Sequence, residues 1–200
     1  MDEPGDFSDE LDTWLKSDGP KTLEELGNAF AEKSFAVTIL LLMFVHALPL
    51  PTGGVTHVFE IITVLVALQM VLGRRTIWMP AKWKRRELGA TITGKGVPFV
   101  IRRVRWFEKF SRPRFAGLFQ HRWFLRVIGL IIIVFTIFAF VAPPFSSLDT
   151  LPALGVVAIC LAIILEDVVI LGIGIVIGAG GAVLIVTIGA AIARFLKDRF

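Results

Sequence analysis

His57 and Glu60 are the two side chains whose types and spacing best suit a chemical site. They lie three positions apart, so on a helix they share one face and can form a hydrogen-bonded pair. Glu60 is the one charged residue between Lys33 and Arg74, and an ionisable group buried in such a stretch is usually functional. The sequence leaves a second interpretation open, in which the pair lies near a turn and faces water.

Glu166 and Asp167 are the second acidic candidate, and they separate two stretches without charge. They either end a helix at the surface or form a buried carboxylate pair that meets Arg74 or Arg75 and relays protons or cations. The other members of the candidate site are polar or helix-breaking residues: Pro49, Pro51, Gly53, Gly54, Gln69, Pro143 and Pro144. No metal is expected, because no third ligand with suitable spacing accompanies His57 and Glu60. Nothing in the sequence indicates a cofactor.

The elements that carry these residues are long and apolar. The chain of 200 residues is 55% hydrophobic and 19% charged, and it has no charge in residues 34–59, 127–148, 150–165 and 168–193. A helix needs roughly 20 apolar residues to cross a bilayer core. A soluble chain this short has too little polar surface to cover several such helices. The composition therefore predicts an all-α, polytopic membrane helical bundle.

Two Pro-broken pairs of apolar runs predict an internal repeat. The runs cover residues 35–48 and 55–72 in the first half, and 127–142 and 151–165 in the second. Pro49 aligns with Pro143, Thr52 with Ser146, and Gly73 with Asp167, all at one constant offset. Because proline lacks an amide donor and clashes with the preceding helical turn, each pair consists of two helices joined by an irregular segment.

The depth of each irregular segment decides between two architectures. A segment at the surface makes each pair an ordinary transmembrane hairpin, although runs of about 14–18 residues are short for full crossings. A segment inside the bilayer makes each pair re-entrant, and irregular backbone is tolerated there when it is buried in protein or lines a polar cavity. Short, broken segments in two halves are typical of a transporter-like site. The sequence leaves both architectures open.

A basic and aromatic loop, residues 74–126, joins the two pairs. It holds 15 of the 21 Lys and Arg residues, so the positive-inside rule predicts that it is cytoplasmic. Val100, Val104, Phe107 and Phe110 form one helical stripe, and we expect that helix to lie in the headgroup plane of anionic lipid. The residues predicted to contact lipid headgroups are Trp78, Trp83, Arg102, Arg105, Trp106 and Lys109. Nucleic acid is not an expected partner, because lipid headgroups are the nearest polyanions.

The two ends of the chain differ in charge. Residues 1–33 hold ten acidic and three basic residues, and we predict that 1–21 form a mobile acidic segment. Residues 22–200 are predicted to form one membrane domain, with repeat one at about 30–75, the basic loop at 74–126, and repeat two with a C-terminal Gly-rich helix at about 124–195. Gly174 and Gly178 form a GxxxG motif, which suits close helix packing or a homodimer. Arg194 and Lys197 indicate a cytoplasmic C-terminus.

These motifs resemble those of the ExoD family of bacterial membrane proteins, named for exopolysaccharide synthesis. The resemblance covers about residues 22–195 and rests on Ala47-Leu48-Pro49-Leu50-Pro51-Thr52-Gly53-Gly54, Gln69-Met70 with Gly73-Arg74, Trp78-Met79-Pro80, Pro143-Pro144, Leu151-Pro152-Ala153-Leu154 and Glu166-Asp167. The chain departs from the family pattern at Glu166-Asp167, where the family usually has an Asp-Gly pair.

The resemblance implies a multi-pass protein of the bacterial inner membrane that takes part in exopolysaccharide synthesis or export. Its role would be that of a transporter-like component or, alternatively, of a non-catalytic scaffold that recruits polysaccharide-synthesis or envelope machinery. The resemblance implies no catalytic residues. The sequence also contains no GxSxG, P-loop or HExxH motif, so we expect no enzyme activity.

Overall fold

The computed structural model of the chain describes residues 7–22, 25, 33–44, 56–74, 77–78, 93–94, 97–109, 115–142 and 148–197. Within these ranges the regular secondary structure is helical, which confirms the all-α class. The helices are α1 Phe7–Lys16, α2 Ser34–Phe44, α3 Thr56–Val71, α4 Val97–Glu108, α5 Ala116–Phe119, α6 Arg122–Val141, α7 Thr150–Leu165 and α8 Val168–Lys197.

Helix α3 ends in a Schellman motif at Gly73. The Gly73 amide donates to Met70 O at 3.0 Å, and the Arg74 amide donates to Gln69 O at 3.1 Å. Gly73 has a φ of 75°, which glycine adopts without steric penalty, and this turn directs the chain away from the helix axis. The side of Gly73 faces the Arg126 guanidinium, since a Cβ built there would lie 2.6 Å from Arg126 Nη2.

Helix α7 ends in the same manner, but with a charged residue in the left-handed position. Glu166 has a φ of 53°, and the Asp167 amide donates to Ala162 O at 3.1 Å. The carboxylate of Asp167 then accepts a hydrogen bond from the Val169 amide at 2.8 Å, which caps the start of α8. The Glu-Asp pair is therefore the joint between two helices.

Glycines of α8 pack directly against α7. A Cβ built at Gly155 would lie 2.5 Å from Gly178 Cα, and one at Gly174 would lie 2.9 Å from the Ile159 nitrogen. A Cβ at Gly181 would lie 2.8 Å from the Pro152 nitrogen, so the two helices are antiparallel and keep one register. The predicted close packing of Gly174 and Gly178 is thus an intrachain contact, and Cys160 is fully buried within α7.

The contacts at helix ends fix the direction of the other helices. Lys33, just before α2, donates to Ile164 O at 2.9 Å, so α2 begins where α7 ends. The His57 and Phe140 rings are 4.8 Å apart, so α3 begins where α6 ends. Phe135 of α6 contacts Gly178 of α8, and Val141 at the end of α6 lines one cavity with Val186, so α6 and α8 run in the same direction. Helices α2, α6 and α8 therefore run in one direction, and α3 and α7 run in the other. We call the end with Lys33, Gly73 and Glu166 the loop end, and the opposite end the far end.

The pairs α2–α3 and α6–α7 make equivalent contacts, because each of the four helices packs on its partner in the pair and on one helix of the other pair. Helix α2 packs on α3 and α7, while α6 packs on α7 and α3. Helices α3 and α7 each contain 16 residues and begin 94 positions apart. This pattern is consistent with the internal repeat and the polytopic bundle. Both stay predictions.

Two helices are long and apolar enough to cross a membrane, which makes the chain compatible with a membrane protein. They are Arg122–Val141 and Val168–Ala191. At 1.5 Å per residue, the 30-residue α8 is about 45 Å long, whereas the 16-residue α3 and α7 are each about 24 Å long. Because Gly181 lies opposite Pro152, near the start of α7, the last part of α8 extends beyond the far end.

Helix α1 packs on α4. Phe7, Leu11 and Trp14 on α1 are buried, as are Val97, Ile101 and Val104 on α4. Ten of the residues in the segment 1–21 thus form a helix that packs on α4. The mobility of this segment stays a prediction. Val104, one residue of the expected lipid-facing stripe on α4, is buried in protein, and the location of this helix at lipid headgroups stays a prediction. Phe110 lies outside the described residues.

Candidate functional site

His57 and Glu60 form the predicted pair in the first two turns of α3. The His57 Nδ1 atom and the Glu60 Oε2 atom are 2.7 Å apart. Helical geometry brings them together, since residues three apart lie on the same face. The Glu60 side chain is 1% exposed, whereas the His57 side chain is 39% exposed. The pair therefore joins a buried carboxylate to a ring that reaches the surface.

Two further side chains, Phe140 and Thr63, lie near this pair. The Phe140 ring from α6 meets the His57 ring edge-on, at an interplanar angle of 60°. Thr63 follows Glu60 by three residues on the buried side of α3, and its hydroxyl has no hydrogen-bond partner among the described residues. A carboxylate and a hydroxyl thus lie on one buried helix face.

The pair can hold one proton between two groups. A buried carboxylate is strongly destabilised unless it is protonated or paired with a cation. An imidazole in contact satisfies either condition, because it can donate from Nδ1 when protonated and accept a proton from the carboxylic acid when neutral. The exposed part of His57 places one end of this pair at the surface of the bundle.

Gln69 and Arg74 lie at the opposite end of α3 from this pair. The Gln69 side-chain nitrogen Nε2 donates to Leu65 O at 3.2 Å, and the side-chain oxygen Oε1 accepts from the Trp78 backbone amide at 2.5 Å. Twelve residues separate Gln69 from His57, about 18 Å along the helix. The structure therefore divides the predicted set into two places, and Gln69 belongs to the turn after α3.

Glu166 and Asp167 have structural partners at the loop end. Lys33 Nζ lies 3.3 Å from Glu166 Oε1, and Asp167, 2% exposed, caps α8. Lys33 is thus a cationic partner of Glu166, and the interpretation in which the acidic pair meets Arg75 is not tested, because Arg75 lies outside the described residues. Of the two open interpretations, the helix end accounts for these contacts.

Several predicted residues cannot be compared with the structure. Pro49, Pro51, Gly53, Gly54, Trp83, Pro143 and Pro144 lie outside the described residues. Of the predicted headgroup-contacting residues, Trp78, Arg102, Arg105, Trp106 and Lys109 are described and exposed. In the described part of the chain, no group of three or more His, Cys, Asp or Glu side chains could hold a metal ion.

Sequence reasoning missed Lys33, Thr63 and Phe140. Lys33 is the last charge before a long apolar run, and a cation at that position commonly interacts with the carbonyl end of a neighbouring helix. Thr63 could have been found by continuing the three-residue spacing from His57 and Glu60. Phe140 gave no local signal, because its contact with His57 depends on how α6 packs against α3.

Comparison with known proteins points to one family. The family model described as "Exopolysaccharide synthesis, ExoD" matches residues 7–187. An uncharacterized protein, slr1875, of Synechocystis is 28% identical over 178 residues, which cover 84% of this chain and 81% of that protein. Protein ExoD of Rhizobium meliloti is 30% identical over 152 residues, which cover 73% of this chain but only 61% of that protein. No solved structure matches the chain.

Proposed function

Because this chain belongs to the ExoD family of exopolysaccharide synthesis, we propose that it is a multi-pass inner-membrane component that supports exopolysaccharide export. In this proposal the protein acts by proton-linked transport and not by catalysis. The observation that carries it is the buried Glu60 carboxylate held 2.7 Å from the partly exposed His57 ring. Such a pair, inside a helix with few other polar groups, is suited to move protons.

Exposed apolar stripes support lipid as the solvent of the bundle. On α6 one stripe of exposed apolar residues follows a spacing of three and four: Trp123, Val127, Leu130, Val134, Ile137 and Val141. On α3 and the residue that follows it they do the same: Val58, Ile61, Leu65, Leu68 and Leu72. Water-facing helices carry polar residues on their outer side, and apolar patches of this extent on a soluble monomer are rare. The stripes therefore fit hydrocarbon surroundings.

The length of α8 supports the re-entrant architecture over ordinary hairpins. Gly155 lies opposite Gly178 and Pro152 lies opposite Gly181, so the same spacing places Thr150 opposite Val183. Val183 is about 22 Å along α8 from its start. The stretch without charge on α8 continues to Ala193, for about another 15 Å. If α8 crosses a hydrocarbon core of about 30 Å, the far end of the α3 and α7 helices lies inside that core. Glu60 would then be an intramembrane carboxylate.

The helix directions support a parallel repeat, in which both pairs enter from the loop end. The axis that relates the pairs would then run along the membrane normal, as in transporters built from parallel repeats. With the basic loop in the cytoplasm, α8 would carry the C-terminus to the opposite side. The expectation that Arg194 and Lys197 are cytoplasmic does not fit this topology, and the 15 Lys and Arg of the loop outweigh them.

The proposed mechanism uses the two members of the pair in sequence. His57 takes up a proton at the far end, where its ring is partly exposed and where the re-entrant architecture requires a polar cavity within the bilayer. Transfer to Glu60 neutralises the buried carboxylate, which lowers the electrostatic penalty of exposing that face of α3 to lipid or to another helix. Protonation would thereby favour one arrangement of α3 against α6 over another. Movement of an exported saccharide or its lipid carrier would be coupled to this change.

The test compares Glu60→Gln with Asp12→Asn in the full chain reconstituted into liposomes with a trapped pH indicator. Asp12 pairs with Lys16 on the surface of α1 and serves as the matched loss of one carboxylate. We expect Glu60→Gln to reduce proton flux at least about tenfold, since it cannot carry a proton, and Asp12→Asn to leave it unchanged.

The same variants are expressed in a bacterium whose extracellular polysaccharide depends on this protein. Loss of flux and of polysaccharide in Glu60→Gln, at wild-type protein levels, supports the proposal. Unchanged flux would overturn the carboxylate mechanism. Polysaccharide that depends on the protein while the wild type carries no proton flux would favour the scaffold.

A further inference from the structure

The outer face of α4 concentrates basic and aromatic side chains. Arg102, Arg105 and Trp106 of α4 and Lys109, the residue just after it, follow the spacing i, i+3, i+4, i+7, which places all four on one side. All four are exposed, and Trp106 is 53% exposed. We call these four residues the basic face. Three cations beside an indole ring form a surface that complements a polyanion.

The apolar side of α4 is turned away from the basic face and is already occupied. Val97, Ile101 and Val104 are at most 5% exposed and lie on the side that packs on α1. An isolated amphipathic helix binds a membrane by burying its apolar side among acyl chains. Here α1 takes the position of the acyl chains, so α4 cannot use that mode while α1 is docked.

Polar contacts hold α1 in this position and orient the charges. Both carboxylate oxygens of Glu108 accept hydrogen bonds from Ser8, one from the amide at 2.9 Å and one from the hydroxyl at 2.5 Å. The only acidic group of α4 is thereby directed towards α1. Asp9 lies 2.8 Å from Arg105 and tethers one cation of the basic face. Arg102 and Lys109 are the charges at the two ends of this face.

We propose that α1 and α4 form a two-helix module whose basic face binds the anionic headgroups of the cytoplasmic leaflet. Binding would be electrostatic and shallow, with Trp106 at headgroup depth and no insertion of the apolar side. Trp78 and Trp123 support this location: they are 61% and 60% exposed at the loop end, where an interfacial tryptophan belongs. This inference does not depend on proton transport by His57 and Glu60.

The test uses the purified full chain in neutral detergent, titrated with phosphatidylglycerol or phosphatidylcholine, with bound lipids counted by native mass spectrometry. The variant is Arg102→Gln with Lys109→Gln. The matched control is Lys16→Gln with Arg194→Gln, which removes the same charge from exposed positions off the basic face. We expect the variant to weaken phosphatidylglycerol binding about tenfold and to flatten its dependence on salt, and the control to change it less than twofold.

Each other result overturns the proposal. Equal binding of phosphatidylcholine would show that the basic face does not discriminate lipids by headgroup charge. Unchanged phosphatidylglycerol binding in the variant would show that the lipid binds elsewhere on the protein. Retained lipid binding with loss of a protein that co-purifies from native membranes would assign the face to a protein partner. Because all four substituted side chains are exposed, we expect both proteins to fold, and helical content by circular dichroism checks this.

Discussion

Helices α3 and α7 have the same length and similar turns at their ends, yet their side chains differ in kind. At the constant offset of 94 residues, His57, Glu60 and Thr63 of α3 correspond to Leu151, Leu154 and Val157 of α7. Helix α7 instead has Gly155 against the backbone of α8. Helix α3 therefore carries buried polar groups and faces the surface on one side, whereas α7 is an apolar packing element. Under the proposed repeat, chemistry is confined to the first pair.

The largest expected effect comes from giving α7 the carboxylate of α3. Leu154→Glu introduces an ionisable group at a position that is 37% exposed between apolar residues. In a bilayer this should lower the free energy of unfolding by about 3 kcal/mol, because no histidine three residues earlier can pair with it. It should also fail to restore proton flux to Glu60→Gln.

The measurement for Leu154→Glu is denaturant unfolding in mixed micelles together with liposome flux, with Leu154→Gln as the isosteric control. A neutral effect of the glutamate on stability would contradict the view that α7 has no place for charge. Restored flux would show that the two helices are functionally interchangeable.

A second, smaller effect probes the packing role of α7. Gly155→Ala places a methyl group 2.5 Å from Gly178 Cα, so the backbones must separate, and we expect a loss of about 2 kcal/mol in unfolding free energy. Gly180→Ala is the matched control, because no atom lies within 4 Å of a Cβ built there. That control should be neutral or slightly stabilising, since alanine favours a helix interior. Equal melting temperatures for the two variants would contradict the proposed contact.

The smallest effect tests whether the polar face of α3 is maintained at the expense of stability. Thr63→Val removes a buried hydroxyl without a hydrogen-bond partner among the described residues, and should stabilise the protein by about 1 kcal/mol. Thr136→Val on α6 is the comparison, because that hydroxyl donates to Ile132 O at 2.8 Å. We expect Thr136→Val to gain less. A stabilised Thr63→Val protein with reduced flux would link the hydroxyl to function.

Local patterns were enough to predict the helices and the central pair. Stretches without charge gave the apolar helices, and a three-residue spacing gave the contact of His57 with Glu60, because both follow from the geometry of a single helix. The sequence alignment paired Gly73 with Asp167, but the two residues with a left-handed backbone are Gly73 and Glu166. The difference of one position arises because α3 ends two residues before its left-handed residue, whereas α7 ends one residue before it.

Contacts between distant segments could not be predicted in the same way. Lys33 reaches Glu166, and Ser8 reaches Glu108, across more than 90 residues of sequence. Periodicity tells which side of a helix is apolar, but it does not tell which partner covers that side. Val104 of the expected lipid-facing stripe is buried in protein, for example, and no local pattern indicated this. The direction of each helix is equally absent from local patterns, and the cytoplasmic C-terminus stays a prediction that the proposed topology does not share.

The complete burial of Cys160 has a practical consequence for studying this chain. Its only thiol is enclosed within α7, where water-soluble maleimides have no access in the folded state. Wild-type protein can therefore serve as its own unreactive background, and cysteines introduced one at a time report their surroundings without prior replacement of the native residue. Scanning the segments around Thr52 and Ser146 in intact cells needs no other preparation.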